Sequence, residues 1–259
     1  MAKCCANLLN PYLFFSQYLI TRQSHLINEE TMSFIYDWAV LRLRGIYDRR
    51  ISGAPVLDSD RLFPDAQRFT AAWPQIRDEA LSVAQDLRNI PRFHEIMSEQ
   101  ASISANDARD WRMFIMQAYG QPITRNLERC PTLAELIATS TDVLSASLSF
   151  LAPGKQVPAH RGPFRGILRG YLVLSMPKRA DGVPAAVLKV DGREYRLNEG
   201  EFMLWDDTFE HEVWNDSEEV RTVLLLDIRR RDLPAGLRLL SNGIIALVRL
   251  NVRWIQRQF

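Results

Sequence analysis

The chain has 259 residues, 47% apolar and 24% charged; these proportions exclude wholesale disorder and allow a full core without disulfide or metal staples. Lys and Arg number 32 against 31 Asp and Glu, a net charge of +1, so a general polyanion binder is excluded and no nucleic-acid partner is expected. The three cysteines, Cys4, Cys5 and Cys130, form no disulfide framework and no CxxC pair, which fits a reducing, cytoplasmic compartment.

The apolar stretch 8–20 is interrupted by Asn10, Pro11, Ser16 and Gln17. Neither it nor the apolar run 243–248 approaches the ~20 residues of a spanning helix, and no secretory cleavage pattern is expected in the former. Cys4 and Cys5 beside it read as acylation candidates or as ordinary thiols. Residues 28–50 have helical spacing through Met32, Ile35, Tyr36, Ala39, Val40 and Leu43. Residues 51–65, with Gly53, Pro55 and Pro64, read as a loop. A second helix is predicted over 69–89, ended by Pro91. Residues 111–119 read as a strand, and Pro131 opens a helix over 131–139.

From Val143 the texture changes to short apolar or alternating runs: 148–151, 166–176, 186–190, 194–197, 202–205, 212–214 and 221–228. Asp191-Gly192 is a two-residue hairpin turn, and 198–200 is another turn. Short strands at this density indicate a sandwich or a small barrel.

The last 31 residues carry seven Arg (229, 230, 231, 238, 249, 253, 257) against Asp232. Leu237, Leu240, Ile244, Leu247, Val248 and Ile255 repeat at helical steps. Arg249, Arg253 and Arg257 follow one another on another side. Such a basic amphipathic helix, with Trp254 near its end, points to a membrane surface; a helix docked on the domain has the same pattern. The predicted domains are therefore a helical extension (1–109), a β domain (110–231) and a basic C-terminal helix (232–259).

Of the four histidines, His160 lies in Pro158-Ala-His-Arg-Gly-Pro163 and His211 in Trp205-Asp-Asp-Thr-Phe-Glu-His-Glu-Val-Trp214. Imidazoles and carboxylates on strand ends suit an open Fe(II) site. On spacing alone, two ordinary hydrogen-bonded histidines are the commoner explanation. His25 and His94 are given no role.

The stretch from Ser149 to Asp227 resembles the catalytic domain of the aspartyl/asparaginyl β-hydroxylase family. The matching blocks are Ser149-Phe-Leu-Ala-Pro-Gly154, His160-Arg-Gly-Pro163, Leu168-Arg169, Asn198-Glu-Gly-Glu201, Trp205 to Asn215, Arg221 and Leu226-Asp227. Weaker likeness upstream, at Pro55-Val-Leu-Asp58 and Trp73-Pro-Gln-Ile-Arg-Asp-Glu79, is to bacterial members, which include hydroxylases of lipid A and ornithine-lipid acyl chains. The resemblance implies a double-stranded β-helix (jelly-roll) core that is mainly β, with helices packed on it. It implies Fe(II), with 2-oxoglutarate and O2 as cosubstrates.

Carried over by position, His160 and His211 would ligate the metal. Gly162 stands where many such enzymes have a third, acidic ligand. Asp207 would orient a metal-bound water. Arg221 would pair the distal carboxylate of 2-oxoglutarate, with Ser149 beside it. Tyr171 stands where the family's Arg-x-His-Leu has histidine, and a phenol cannot become a cation there. Arg169, and beside it Arg165, would contact substrate. The implied activity is hydroxylation of a C–H bond in an acyl lipid or an aspartyl/asparaginyl group, in the cytoplasm or at the inner face of a membrane. The competing reading is a binding or membrane-adaptor module of the same fold without turnover.

Overall fold

A computed structural model describes residues 29–97 and 100–257. The stretch 8–20, Cys4, Cys5 and His25 lie outside the described residues, as do the side chains of Ile255 and Arg257. The longer helices are α1 (Glu29–Asp48), α2 (Trp73–Ala84), α3 (Pro131–Thr139) and α4 (Ala235–Arg257). The strands are β1 (Val56–Leu57), β2 (Trp111–Ala118), β3 (Gln121–Pro122), β4 (Val143–Leu151), β5 (Gln156–His160), β6 (Ile167–Ser175), β7 (Ala186–Val190), β8 (Arg193–Tyr195), β9 (Phe202–Trp205), β10 (His211–Asn215) and β11 (Arg221–Arg229).

These strands form two antiparallel sheets. The larger has the order β1-β9-β6-β11-β4-β2-β3 and the smaller β5-β10-β7-β8. They face each other across a cluster in which Tyr171, Val173, Trp205 and Val223 meet Ala186, Leu188 and Val190. This is a mainly β, double-stranded β-helix with flanking helices, as the sequence indicates.

Strand alternation explains which residues reach the interior. On β11, Leu224, Leu226 and Ile228 pack with Ile76, Ala80 and Val83 of α2 and Leu133 of α3. Arg221, Val223, Leu225 and Asp227 point the other way, towards the smaller sheet. β11 is apolar on both faces because helices cover one and a second sheet the other. β4 alternates likewise: Ala146, Leu148 and Phe150 join the helix-side cluster, while Ser145, Ser147 and Ser149 line an interior cavity.

Several boundaries differ from expectation. The predicted helix 69–89 is broken into Ala66–Ala71, α2 and a 3-10 turn at Leu87–Asn89, since Pro74 fits only the first turn of a helix. The 51–65 loop contains β1, which pairs with β9. Leu62, Phe63 and Phe69 share one core with Leu148 and Leu226, so the N-terminal segment is part of the domain's core, not an appendage to it. β5 was missed, because Pro158 interrupts a half-polar run; it is tolerated because β5 is an edge strand. The Asp191-Gly192 turn is as expected, with both residues at positive φ, 48° and 79°.

α4 docks on the domain, but in a different rotation from the predicted one. Leu237, Ser241, Ile245 and Val252 are buried, whereas Leu240 and Leu247 are exposed. Arg249 Nε donates to Tyr119 O at 2.9 Å and Arg253 Nε to Gln121 Oε1 at 3.0 Å. The arginine side therefore grips the domain, with the leucine ridge turned out. Against the expectation that the run 243–248 falls short of a span, residues Ala235–Trp254 are long and apolar enough, by length and composition alone, to cross a membrane.

Candidate active site

His160 ends β5 and His211 begins β10, and the antiparallel register sets them directly opposite each other. Their ring centroids lie 4.0 Å apart at an interplanar angle of 54°. His160 Nδ1 meets Pro158 O at 2.8 Å and His211 Nδ1 meets Phe209 O at 2.9 Å. A nitrogen facing a carbonyl oxygen must donate, so in each neutral ring Nε2 is the lone-pair nitrogen. Burial lowers the pKa of His160. Burial, with His160 as neighbour, lowers that of His211 to about 3. Both rings are thus neutral at ordinary pH, the form that ligates metal.

Asp207 is buried beside them. Its Oδ2 accepts from Arg169 NH2 at 2.9 Å, whereas its Oδ1 is buried without a hydrogen-bond partner. Burial raises its pKa, partly offset by Arg169. Gly162 N donates to Asp207 O at 2.6 Å. A Cβ on Gly162 would fall on Asp207 Oδ1. Glycine at 162 is therefore what leaves room for this carboxylate. Among the described residues no group of three or more His, Cys, Asp or Glu converges as a metal cage. The two imidazoles, with an unpartnered carboxylate oxygen nearby, fit a metal held by two protein ligands with Asp207 acting through water.

The two histidines open into a cavity of about 200 Å³ between the sheets, also lined by Ser149, Arg169, Tyr171, Asp207, Arg221 and Asp227. Arg221 is buried, and its Nε and one terminal nitrogen have no hydrogen-bond partner. Burial lowers its pKa. Its Cζ sits 5.6 Å from the centroid of the Tyr171 ring, and burial raises the pKa of that phenol. Ser149 Oγ accepts from Trp111 Nε1 at 2.9 Å. A buried guanidinium with unmade hydrogen bonds fits a ligand carboxylate.

Residues 70–231 match the family model described as aspartyl/asparaginyl beta-hydroxylase, a span holding every residue of this cavity-side polar group. The chain belongs to that family. It is 32% identical over 178 residues to the ornithine lipid ester-linked acyl 2-hydroxylase of Rhizobium tropici, covering 69% of this chain and 61% of that relative. It is 28% identical over 179 residues to the human aspartyl/asparaginyl beta-hydroxylase, covering 63% of this chain and 22% of that relative. The chain thus spans less than two thirds of either relative's length. Among solved structures, a Pseudomonas putida prolyl-4-hydroxylase matches with a TM-score of 0.38 and 17% identity, over 61% of this chain and 88% of that one.

Within this member of the β-hydroxylase family, Arg165 departs from expectation. It does not line the cavity. Its Nε donates to Asp206 Oδ2 at 2.9 Å and its NH1 to Asp48 Oδ1 at 2.5 Å. Arg230 NH1 donates to the same Asp206 oxygen at 2.6 Å. Asp206 Oδ1 in turn accepts from the backbone and hydroxyl of Thr208 at 3.1 and 2.5 Å. Arg165 therefore clasps the loop leading to His211 through two of its nitrogens, and its place outside the cavity does not support the substrate contact expected of it.

Other cavity residues escaped the sequence reading. Trp205 stands edge-on to His211 at 4.5 Å between centroids. Asp227 pairs with Arg169, and the signal was an acid inside the apolar run Leu224–Ile228. Phe93, Ile96, Met97, Phe164 and Ile167 also line the cavity; all but Ile167, which opens β6, lie in short helical turns or loops, which carry no such signal.

Proposed function

We propose that this protein is a hydroxylase that uses Fe(II), 2-oxoglutarate and O2 to hydroxylate a C–H bond, with an acyl lipid as substrate. The observation that carries the reading is Arg221, a buried cation with unmade hydrogen bonds in one cavity with two opposed neutral imidazoles. His160 and His211 would hold the iron through Nε2. Arg221, with Ser149 and Tyr171 at its side, would hold the distal carboxylate of 2-oxoglutarate. Asp207 would orient a water on the metal through its open Oδ1. Trp111, stacked on Phe93 at 4.0 Å, would keep bulk water out. When bound, iron, 2-oxoglutarate and O2 supply the oxidation of an unactivated C–H bond.

Two features favour an acyl chain. The wall made by Phe93, Ile96, Met97, Phe164 and Ile167 is apolar. Arg169, at the metal side, is paired with Asp207 and Asp227, so it is not itself a free cation for a substrate carboxylate. The name of the Rhizobium relative agrees. Aspartyl or asparaginyl substrates are the second reading, supported by Arg161, a cation lining the cavity, and by the name of the human relative. The protein would work in the cytoplasm, where lipid is met at the inner face of a membrane.

The test gives Fe(II)-loaded protein either a bacterial lipid extract or Asp- and Asn-containing peptides, and reads substrate mass. Gain of one oxygen atom on an acyl chain supports the leading reading, and gain on a peptide supports the second. Tight iron binding with neither product supports the module without turnover.

A further inference from the structure

We infer that the outward face of α4 docks on the surface of an anionic lipid bilayer. The inference deepens the acyl-lipid reading by naming the surface that meets the substrate's membrane, though its geometry stands apart from the chemistry. α4 uses one face to join the domain: Leu237 and Ile245 pack with Tyr47, Tyr119, Phe164 and Ile167. At 3.6 residues per turn, Leu239, Leu247, Leu250 and Trp254 fall on the opposite side. They are 76%, 52%, 60% and 54% exposed. Single exposed leucines need no explanation, but a ridge of four large apolar side chains along one helix marks a contact surface.

Charge decides which partner this ridge fits. α4 contains Arg238, Arg249, Arg253 and Arg257 and no acid. Arg249 and Arg253 bond the domain through Nε to uncharged acceptors, a backbone carbonyl and an amide oxygen, so no acid neutralises their charge there. An apolar ridge beside cations, with a tryptophan near one end, is the arrangement for the headgroup–acyl boundary of an anionic leaflet.

The helix lies on the surface in this account and does not cross. Its inner face is packed in the core, Val252 is fully buried, and a span would strip Arg249 and Arg253 from the domain. The same packing ties the bilayer surface to the cavity. Tyr47 Oη and Ser241 Oγ share a hydrogen bond of 2.6 Å between α1 and α4. Arg44 of α1 donates to Gly162 O at 3.0 Å. Phe164 and Ile167, in the same apolar cluster as Leu237, line the cavity wall.

The experiment sediments the full chain with vesicles of phosphatidylcholine plus phosphatidylglycerol and with vesicles of phosphatidylcholine alone. It compares wild type with Leu247→Glu/Leu250→Glu and with the milder Leu247→Ser/Leu250→Ser, beside light scattering without lipid. Wild type should bind the anionic vesicles, release them in high salt, and be monomeric without lipid. Both double variants should keep the wild-type melting temperature and bind about tenfold more weakly or worse. Vesicle binding unchanged in the variants would overturn the inference. So would a wild-type dimer that the variants dissociate, which would make a second copy the occupant. Binding that resists both salt and alkaline extraction would also overturn it, in favour of a spanning helix. Because binding is read without turnover, docking with no lipid hydroxylation would leave this inference standing and remove the acyl-lipid reading instead.

Discussion

Gly162 and Asp207 share one space: the carboxylate of Asp207 lies where a side chain at 162 would begin, and the Gly162 amide is bonded to the Asp207 carbonyl. The position where the resemblance places an acidic ligand in many such enzymes has no side chain here, and the carboxylate in that space comes from the loop before β10. Gly162→Ala should push Asp207 aside, lowering iron affinity about tenfold and stability by about 1–3 kcal/mol. Gly162→Ala/Asp207→Gly should recover the stability but not the iron affinity. Calorimetric titration with metal and thermal melts check both; full recovery of affinity in the double variant would refute the role given to Asp207.

Arg221 places function against stability. A buried cation with unmade hydrogen bonds is costly, and replacing it with an apolar residue of similar volume removes that cost. Arg221→Met should therefore melt at or above the wild-type temperature while 2-oxoglutarate affinity falls by about 3 kcal/mol. A variant that melts lower and still binds 2-oxoglutarate would make Arg221 a structural residue.

The clasp at Asp206 separates Arg165 from substrate binding. Asp206→Asn leaves Arg165 and Arg230 both buried with one carboxylate fewer, and should cost about 3–5 kcal/mol. Arg165→Met leaves the Asp206–Arg230 pair intact and should cost less. It should change melting temperature without changing KM for substrate. A raised KM at unchanged stability would restore Arg165 to the substrate.

A pH dependence follows from the ion pair of Asp107 with Lys155, whose ammonium is fully buried and also donates to Ser104 O and Asn106 Oδ1. Burial pushes the Asp107 carboxyl up, but hydrogen bonds from Lys155 and from the Arg109 amide outweigh it and hold it below its ordinary value. A carboxyl whose pKa is lower in the folded state releases its proton more readily there. Its contribution is complete above the ordinary carboxylate range and is lost as pH falls through the lowered value. Asp107→Asn should cost about 3 kcal/mol at neutral pH and flatten the acid limb of a stability–pH curve. An acid limb unchanged in the variant would place that dependence elsewhere.

β7 and β9 match their predicted spans because each is a short apolar run between turn residues. The histidine block was legible as a long motif, and the register of β5 with β10 gives its physical reason. β5 itself was hidden by Pro158, which only its edge position permits. The rotation of α4 was misjudged because several apolar stripes fit one helix, and only the docked partner selects among them. The clasp made by Arg165 is not legible in the sequence because its partner Asp48 lies 117 residues away. The serines at 145, 147 and 149 are a period-two signal of a polar inner face that the sequence did contain.

The most direct measurement of the central claim is succinate release from 2-oxoglutarate by Fe(II)-loaded protein, with the visible charge-transfer band of the anaerobic iron–2-oxoglutarate complex recorded on the same samples. Wild type should show the band and release succinate. His160→Ala and His211→Ala should show neither, and Arg221→Met should bind iron while showing the band only at much higher 2-oxoglutarate. Succinate release by the histidine variants at the wild-type rate, or a wild type that binds iron with neither band nor succinate, would contradict the account.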